Sequence, residues 1–210
     1  MAQKEFFGKD SIYKLKDILN KHEPKIIFLV TGKGSYEKSG AKAKLDKILK
    51  GYKTVHFTDF HPNPKLEEIE KGLDIFKKNK CDFIIAVGGG SPIDAAKAVN
   101  ILGANSGDIL DFINKKKKIE HKGKILVAIP TTSGSGSEAT HFIVFYRGKA
   151  KCSLGHKEFT LPDYAIIDPV LTESLPKYQT ACTGMDALGQ AIESYWCIDS
   201  TEDFKKFQNQ

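Results

Sequence analysis

CDFIIAVGGGSPIDAAK, residues 81–97, decides the fold. Apart from Asp82, residues 81–87 carry no charged side chain, as expected of a strand covered on both faces. Three glycines, Gly88, Gly89 and Gly90, follow at once. They leave no Cβ between a strand end and a helix start, so backbone N–H groups can approach an anion closely. Ser91 is placed as a helix N-cap, Pro92 as the first helical residue and Asp94 as the acid of a capping box. The helix then turns its positive end toward the loop, where a diphosphate fits. It is expected to reach about Leu102 and to stop at Gly103.

Downstream, the apolar run 124–130 meets TTSGSGSE at 131–138, which packs five hydroxyls and two glycines into eight residues. Alone, GGGS reads equally well as a tight turn with no ligand. Two such loops after two buried strands should share the carboxyl edge of one sheet, where nucleotides bind. Further strands are expected at 25–31, 53–58 and 164–167, and a hairpin over 141–153 turning at Arg147-Gly148. Helices are expected from Asp10 or Ser11 to about Asn20, over 38–49, and after Asn63, read as a cap with Pro64 at the first helical position. This alternation predicts an α/β fold, a Rossmann-like, mostly parallel sheet flanked by helices. From residue 177 the pattern stays helical. The reading is a dinucleotide-binding domain at 1–176 and the start of an all-helical domain at 177–210, without internal repeats.

The loop after the first buried strand departs from the usual dinucleotide fingerprint. Gly32-Lys33-Gly34 is followed by Tyr36 and Glu37, with no third glycine in place, and the G-K-[ST] ending that supports ATP hydrolysis is also missing. An acid at this strand end would bind the 2′-hydroxyl of NAD and repel the 2′-phosphate of NADP. Gly32, Lys33, Gly34 and Ser35 instead offer a cation, a hydroxyl and free N–H groups. NADPH is therefore expected to be accepted; the alternative is that Gly32 only makes the turn.

Composition narrows the rest. The 210 residues are 40% hydrophobic and 28% charged, an ordinary globular balance. Cys81, Cys152, Cys182 and Cys197 form no C-x-x-C pair, which argues against a zinc ribbon or a disulfide framework. The net charge of +6 owes much to Lys115, Lys116, Lys117 and Lys118. No aromatic residue interleaves with that run, so it reads as a solvated loop and not as a nucleic-acid surface. The polar N-terminus is no secretory signal and no apolar run has membrane-spanning length, so a cytoplasmic protein is expected.

Taken together, GGGSPIDAAKA, PTTSGSGSEAT, LPDYAIIDPVLT and TGMDALGQAIESY resemble, in order and spacing, the iron-containing alcohol dehydrogenases. That resemblance implies a nucleotide-binding α/β domain paired with a helical one and a divalent metal in the cleft between them. It also implies hydride transfer between a nicotinamide cofactor, NAD or NADP, and an alcohol or aldehyde. Matched by position, Gly89, Gly90 and Ser91 resemble the pyrophosphate loop, and Thr131, Thr132 and Ser135 the cofactor contacts of the second loop. Asn63 is similar to an asparagine near the adenosine end, Lys151 to a lysine near the nicotinamide ribose. Asp94 is the candidate to contact substrate, with capping as its other reading.

Asp186 and Gln190, spaced i, i+4, share one helix face and could hold one ion. Where the family has Asp and His, this chain has Asp and Gln, and up to Gln210 nothing matches the two later histidines. A glutamine carbonyl binds iron or zinc more weakly than imidazole does. A tightly held Fe2+ or Zn2+ is therefore expected only where those further ligands are supplied. Within the family the sequence around residues 138–142, 151–156 and 187–196 is most similar to the phosphonoacetaldehyde reductases, with Lys151, His156 and Lys157 offered to a phosphonate. The expected partners are a small aldehyde or alcohol, with a homodimer left open and neither nucleic acid nor membrane. A general alcohol dehydrogenase, a dehydroquinate-synthase or glycerol-phosphate-dehydrogenase relative and a non-catalytic nucleotide-binding remnant stay open as alternatives.

Overall fold

In the computed structural model, which describes residues 3–197, the apolar runs form the strands expected of them. In chain order come β1 (Lys4–Phe7), a 3-10 turn (Ser11–Lys14), α1 (Leu15–His22), β2 (Ile26–Thr31), α2 (Ser35–Lys38), α3 (Ala41–Ile48) and β3 (Lys53–Phe57). Then follow α4 (Leu66–Lys78), β4 (Phe83–Gly88), α5 (Gly90–Ala104), α6 (Ile109–Ile113), β5 (Ile125–Pro130), β6 (Phe142–Arg147), β7 (Ala150–Gly155), β8 (Tyr164–Ile167) and α7 (Lys177–Trp196).

Six strands make one sheet in the order β1-β8-β5-β4-β2-β3, and every pairing in it is parallel. Alternate strand residues feed two cores, as a period of two requires. Phe28, Val30, Ile84, Ala86, Leu126 and Ala128 face α4, α5 and the β6–β7 hairpin. Ile27, Leu29, Ile85, Val87, Val127 and Ile129 face α1 and α3 on the other side. Burying each large aliphatic or aromatic side chain contributes ~1.5–3 kcal/mol, which is why the runs stay so purely apolar. Helix α5 is buried throughout residues 92–102, between the sheet, α4 and the hairpin.

Several local readings are corrected. The helix expected over 38–49 is two helices, α2 and α3, broken at Gly40 with φ +77°. Asn63 does not cap α4: it sits at φ +61°, and the cap is Lys65, whose N–H donates to Glu68 Oε2 at 2.8 Å. Gly103 lies inside α5, where an added Cβ would stand 3.0 Å from the Phe76 ring. It permits close approach of α4 and does not end the helix. The sequence reading lacked β1 and α6, and Asp10 has a left-handed backbone without a side-chain cap. Helix α7 begins at Lys177, and residues 198–210 of the expected second domain lie outside the described residues.

Three histidines, His22 and His141 half-buried and His56 on the exposed face of β3, give the fold an acid limit. His56 Nε2 lies 2.7 Å from Thr31 Oγ1. Burial, then the charge of Lys42, holds its pKa below the ordinary 6.5. Burial likewise lowers His22 and His141, each with a nearby lysine adding to the effect. The unfolded chain therefore takes up these protons first as pH falls, so the stability they confer is complete above about 6.5 and is lost below it. Melting temperature should be level above that pH and fall between roughly 6.5 and 5, with a shallower fall in His56→Gln. Equal slopes in the two proteins would show that His56 is not the sensor.

Candidate functional site

The parallel register brings the two hydroxyl- and glycine-rich loops together. Gly88 pairs with Pro130, and Thr131 N–H donates to Gly88 O at 2.9 Å, so the chain exits from β4 and β5 side by side. Gly32 N–H donates to Val87 O at 3.3 Å, which adds the β2 exit to the same edge. From β2 the chain passes outward to β3, then returns to β4 on the other side. The crevice between β2 and β4 is thus the switch point at which open α/β sheets bind ligands.

The expected pyrophosphate residues are all at this crevice. A recess of about 320 Å³ is lined by Gly32, Gly34, Ser35, Gly89, Gly90 and Ser91, together with Lys33, His61 and Pro62. Gly90 and Ser91 also border a larger cleft of about 670 Å³, shared by Asn63, Asp94, Ser135, Lys151, Asp186 and Gln190. The two spaces meet at the glycine loop. Gly89 and Gly90 pack against the second loop: a Cβ on either would stand 3.2 Å from Thr132 Oγ1 or 3.4 Å from Ser135. Thr131 lies deeper, 2% exposed, and its Oγ1 has no hydrogen-bond partner. It lines neither the recess nor the cleft, so it underlies the second loop and does not face either space.

The helix start differs from the sequence reading. The N-cap of α5 is Gly89, and Ser91 already lies inside the helix. Ser91 Oγ accepts the backbone N–H of Asn63 at 3.0 Å, tying the 61–64 loop to the glycine loop. Asn63 accordingly borders the larger cleft and not the recess at the β2 exit.

Asp94 is no capping residue either. One oxygen accepts the Ser137 hydroxyl at 2.5 Å and the other accepts Val144 N–H at 3.2 Å. Burial raises its carboxyl pKa, while the Ser137 bond, Lys97 and Val144 oppose the shift. Beneath it, Lys97 is 1% exposed and sends its ammonium to the carbonyl oxygens of Ser137, Thr140 and Phe142 at 2.5, 2.8 and 3.0 Å. Burial pushes Lys97 down to about 8, against the pull of Asp94 and Glu138. Three carbonyl acceptors each need an N–H, so the cavity is built for the charged form. Asp94 and Lys97 together pin the segment after TTSGSGS onto α5. Lys97 was missed in the sequence, although a lone cation on an otherwise apolar helix was the available signal.

Helix α7 closes the far side of the cleft. An alanine Cβ at Gly134 would collide with the Thr183 carbonyl, so the β5 loop and α7 approach backbone to backbone. Asp186, Gln190 and Glu193 face the cleft from successive turns. Among the described residues, no group of three His, Cys, Asp or Glu side chains is placed to hold a metal. Asp186 and Gln190 therefore fit a divalent ion as part of a larger ligand set and not alone. Lys151 lines the cleft; His156 and Lys157 do not. Among the described residues, no helix is long and apolar enough to cross a membrane.

Known proteins agree with this architecture. The chain is 38% identical over 197 residues to an NADPH-dependent butanol dehydrogenase of Clostridium saccharobutylicum, an alignment covering 90% of this chain and 49% of the other. The solved NADH-dependent butanol dehydrogenase A of Thermotoga maritima superposes with a TM-score of 0.89 at 30% identity, over 98% of this chain and 52% of that one. The NAD+ complex of a sulfoacetaldehyde reductase from Bifidobacterium kashiwanohense gives 0.84 at 36% identity, over 92% and 52%. The chain thus spans about half the length of these relatives. A sequence profile described as iron-containing alcohol dehydrogenase matches residues 2–169. With that profile covering most of the chain, and with both loops meeting at the switch point, the protein belongs to the iron-containing alcohol dehydrogenase family.

Proposed function

We propose that this chain is the cofactor-binding part of an NAD(P)H-dependent, metal-assisted reductase that converts an aldehyde to an alcohol. The observation that carries the reading is the side-by-side exit of β4 and β5, which sets the Gly88–Gly90 turn against Thr132 and Ser135 of the hydroxyl-rich second loop. When bound, a nicotinamide supplies the hydride and a divalent ion polarises the carbonyl oxygen. The chain's own residues bind and orient. Gly89, Gly90 and Ser91 hold the diphosphate, with Thr132 and Ser135 contacting the cofactor from the second loop, which Thr131 underlies. Lys151 borders the cleft where the reacting end lies, Asn63, bonded to Ser91 at the glycine loop, stands toward the adenosine end, and Asp94 acts as a positioning residue through Ser137. Asp186 and Gln190 contribute two metal donors from α7, which opens the second, helical domain at residue 177.

Phosphonoacetaldehyde is the favoured substrate. Lys151 puts a cation on the cleft wall, where a phosphonate would be held. A related chemistry is named for one structural neighbour, the sulfoacetaldehyde reductase, whose named substrate carries an anionic sulfonate. NADPH is the favoured cofactor, because no acid lines the recess at the β2 exit and Lys33 does. A single added cation–phosphate contact of ~1 kcal/mol corresponds to roughly fivefold in affinity. Initial rates of NADPH and NADH oxidation with phosphonoacetaldehyde and with butanal test both choices. Faster turnover of phosphonoacetaldehyde, and a higher kcat/KM for NADPH, are expected. Equal or faster butanal turnover would return the protein to the general alcohol dehydrogenases.

A further inference from the structure

The chain turns at Gly136, φ +61°, and residues 137–139 make a single 3-10 turn before Thr140, which is extended ahead of β6. In this segment carbonyls point inward while side chains point outward. Ser137, Thr140 and Phe142 line the larger cleft. Their three carbonyl oxygens meet the one Lys97 ammonium at 2.5, 2.8 and 3.0 Å. Two of the carbonyls between them are taken from elsewhere: Gln3 Nε2 donates to Glu138 O at 2.6 Å, and the Thr160 hydroxyl donates to His141 O.

The set around the ammonium is completed by Ser137 Oγ at 3.3 Å and by Asp94 Oδ1 at 3.9 Å, one turn back on α5. The half-buried Glu138 carboxylate adds a second negative charge that reaches Lys97. The Lys97 side chain is fully enclosed and lines neither the cleft nor the recess. Such oxygens are the ligands of a monovalent cation. Converging backbone carbonyls replace the hydration shell of potassium in its channels, and carbonyl, hydroxyl and carboxylate oxygens are all hard donors. An ammonium is similar in size to potassium and has a hydrogen for each of the three carbonyls. Two carboxylates against one cation leave the pocket short of positive charge once that cation is withdrawn.

We infer that the 137–142 turn is a monovalent-cation site which the chain fills with its own Lys97 ammonium, and that this tethered cation sets the cleft wall carrying Ser137, Thr140 and Phe142. Lys97 is thus a positioning residue. The cation site goes beyond the cofactor reading; only the nucleotide measurement below rests on that reading.

Lys97→Ala removes Cγ, Cδ, Cε and Nζ, the heavy atoms of propylammonium, and leaves Ser137 and Asp94 between the new cavity and the cleft. The melting temperature of the variant whole chain should rise by roughly 4 °C with propylammonium at about ten times its dissociation constant. Potassium and ammonium chloride should raise it by less, while sodium chloride and propanol at equal concentration should leave it unchanged. Wild type and Lys97→Met, in which the stem's space is filled, should respond to none of them. If Lys97→Ala is unfolded in sodium chloride, recovery of its melting transition in propylammonium reads the same effect. The NADPH dissociation constant, from cofactor fluorescence, should weaken by roughly tenfold in Lys97→Ala and recover with propylammonium. A Lys97→Ala protein that gains no more from propylammonium than from propanol, or stays unfolded in both, overturns the inference. Rescued melting with NADPH affinity still low overturns the positioning role. Rescued melting in a protein whose wild type binds no NADPH keeps the cation site and removes the cofactor reading.

Discussion

Lys97→Met should lower the unfolding free energy by ~3–5 kcal/mol, the range for breaking a buried charge pair by removing one partner. Methionine fills much of the lysine stem's volume, so the loss is not a cavity effect. It leaves the carbonyls of Ser137, Thr140 and Phe142 without their donor. It also leaves the Asp94 carboxylate, 9% exposed, without the cation 3.9 Å away. For a chain of this size the melting temperature should drop by roughly 10 °C. The second consequence is functional. Residues 137–142 follow directly on the loop that presents Thr131, Thr132 and Ser135, so NADPH affinity should fall even at temperatures where the variant is folded. Calorimetry and a fluorescence titration read the two effects separately. Replacing Asp94 as well should cost less than the sum of the single losses, because the two side chains serve the same segment. A Lys97→Met protein that melts within ~2 °C of wild type would show that these bonds do not hold the segment.

Gly88→Ala has the next largest expected effect. Gly88 adopts φ +146°, a backbone conformation that L side chains rarely take, and its Cβ would lie 2.6 Å from Pro92 Cγ. Backbone strain of ~1–3 kcal/mol and overpacking of a similar size add here, because a proline ring inside the first turn of α5 has little room to move. A loss of about 3 kcal/mol is expected, with NADPH binding weakened at least tenfold because the amides of Gly89 and Gly90 shift with it. Gly34→Ala is the control. Its Cβ meets nothing within 4 Å and its φ is −107°, so stability should stay within ~0.5 kcal/mol. Chemical denaturation of the two variants beside wild type measures the contrast; similar losses would mean that Gly88 acts only through chain flexibility.

The sheet was readable because its strands announce themselves. Residues 83–87 and 125–130 are apolar without interruption, a pattern that only two-sided burial explains. Strand β1 escaped notice for the converse reason: Lys4–Phe7 is four residues at a sheet edge, two of them charged, and only Phe6 is drawn into the packing. The residue types of the two loops proposed to hold the cofactor were also readable, while their local roles were not. Ser91 and Asp94 have the chemistry of caps, yet their oxygens are taken by Asn63, Ser137 and Val144, which lie 28, 43 and 50 residues away. A cap and a tertiary bond draw on the same lone pairs, and local sequence does not reveal a distant competitor. Asn63-Pro64 misled for a related reason: Glu68 reaching back to Lys65 N–H sets the start of α4 two residues later than proline alone suggests. Asp186 and Gln190, the proposed metal donors, were legible only as an i, i+4 pair on α7, because an ion site is a property of several elements at once.

The place of β1 in the sheet has a consequence for synthesis. Lys4–Phe7 pairs with Tyr164–Ile167, and Asp10 N–H donates to the Asp168 carboxylate at 3.1 Å, 158 residues away. Synthesis therefore makes β1 well before β8, its one neighbour among the described strands. Until β8 emerges, Lys4–Phe7 lacks the described strand it pairs with, and a protease added to stalled chains should clip it there and spare it once residue 168 is clear of the exit tunnel.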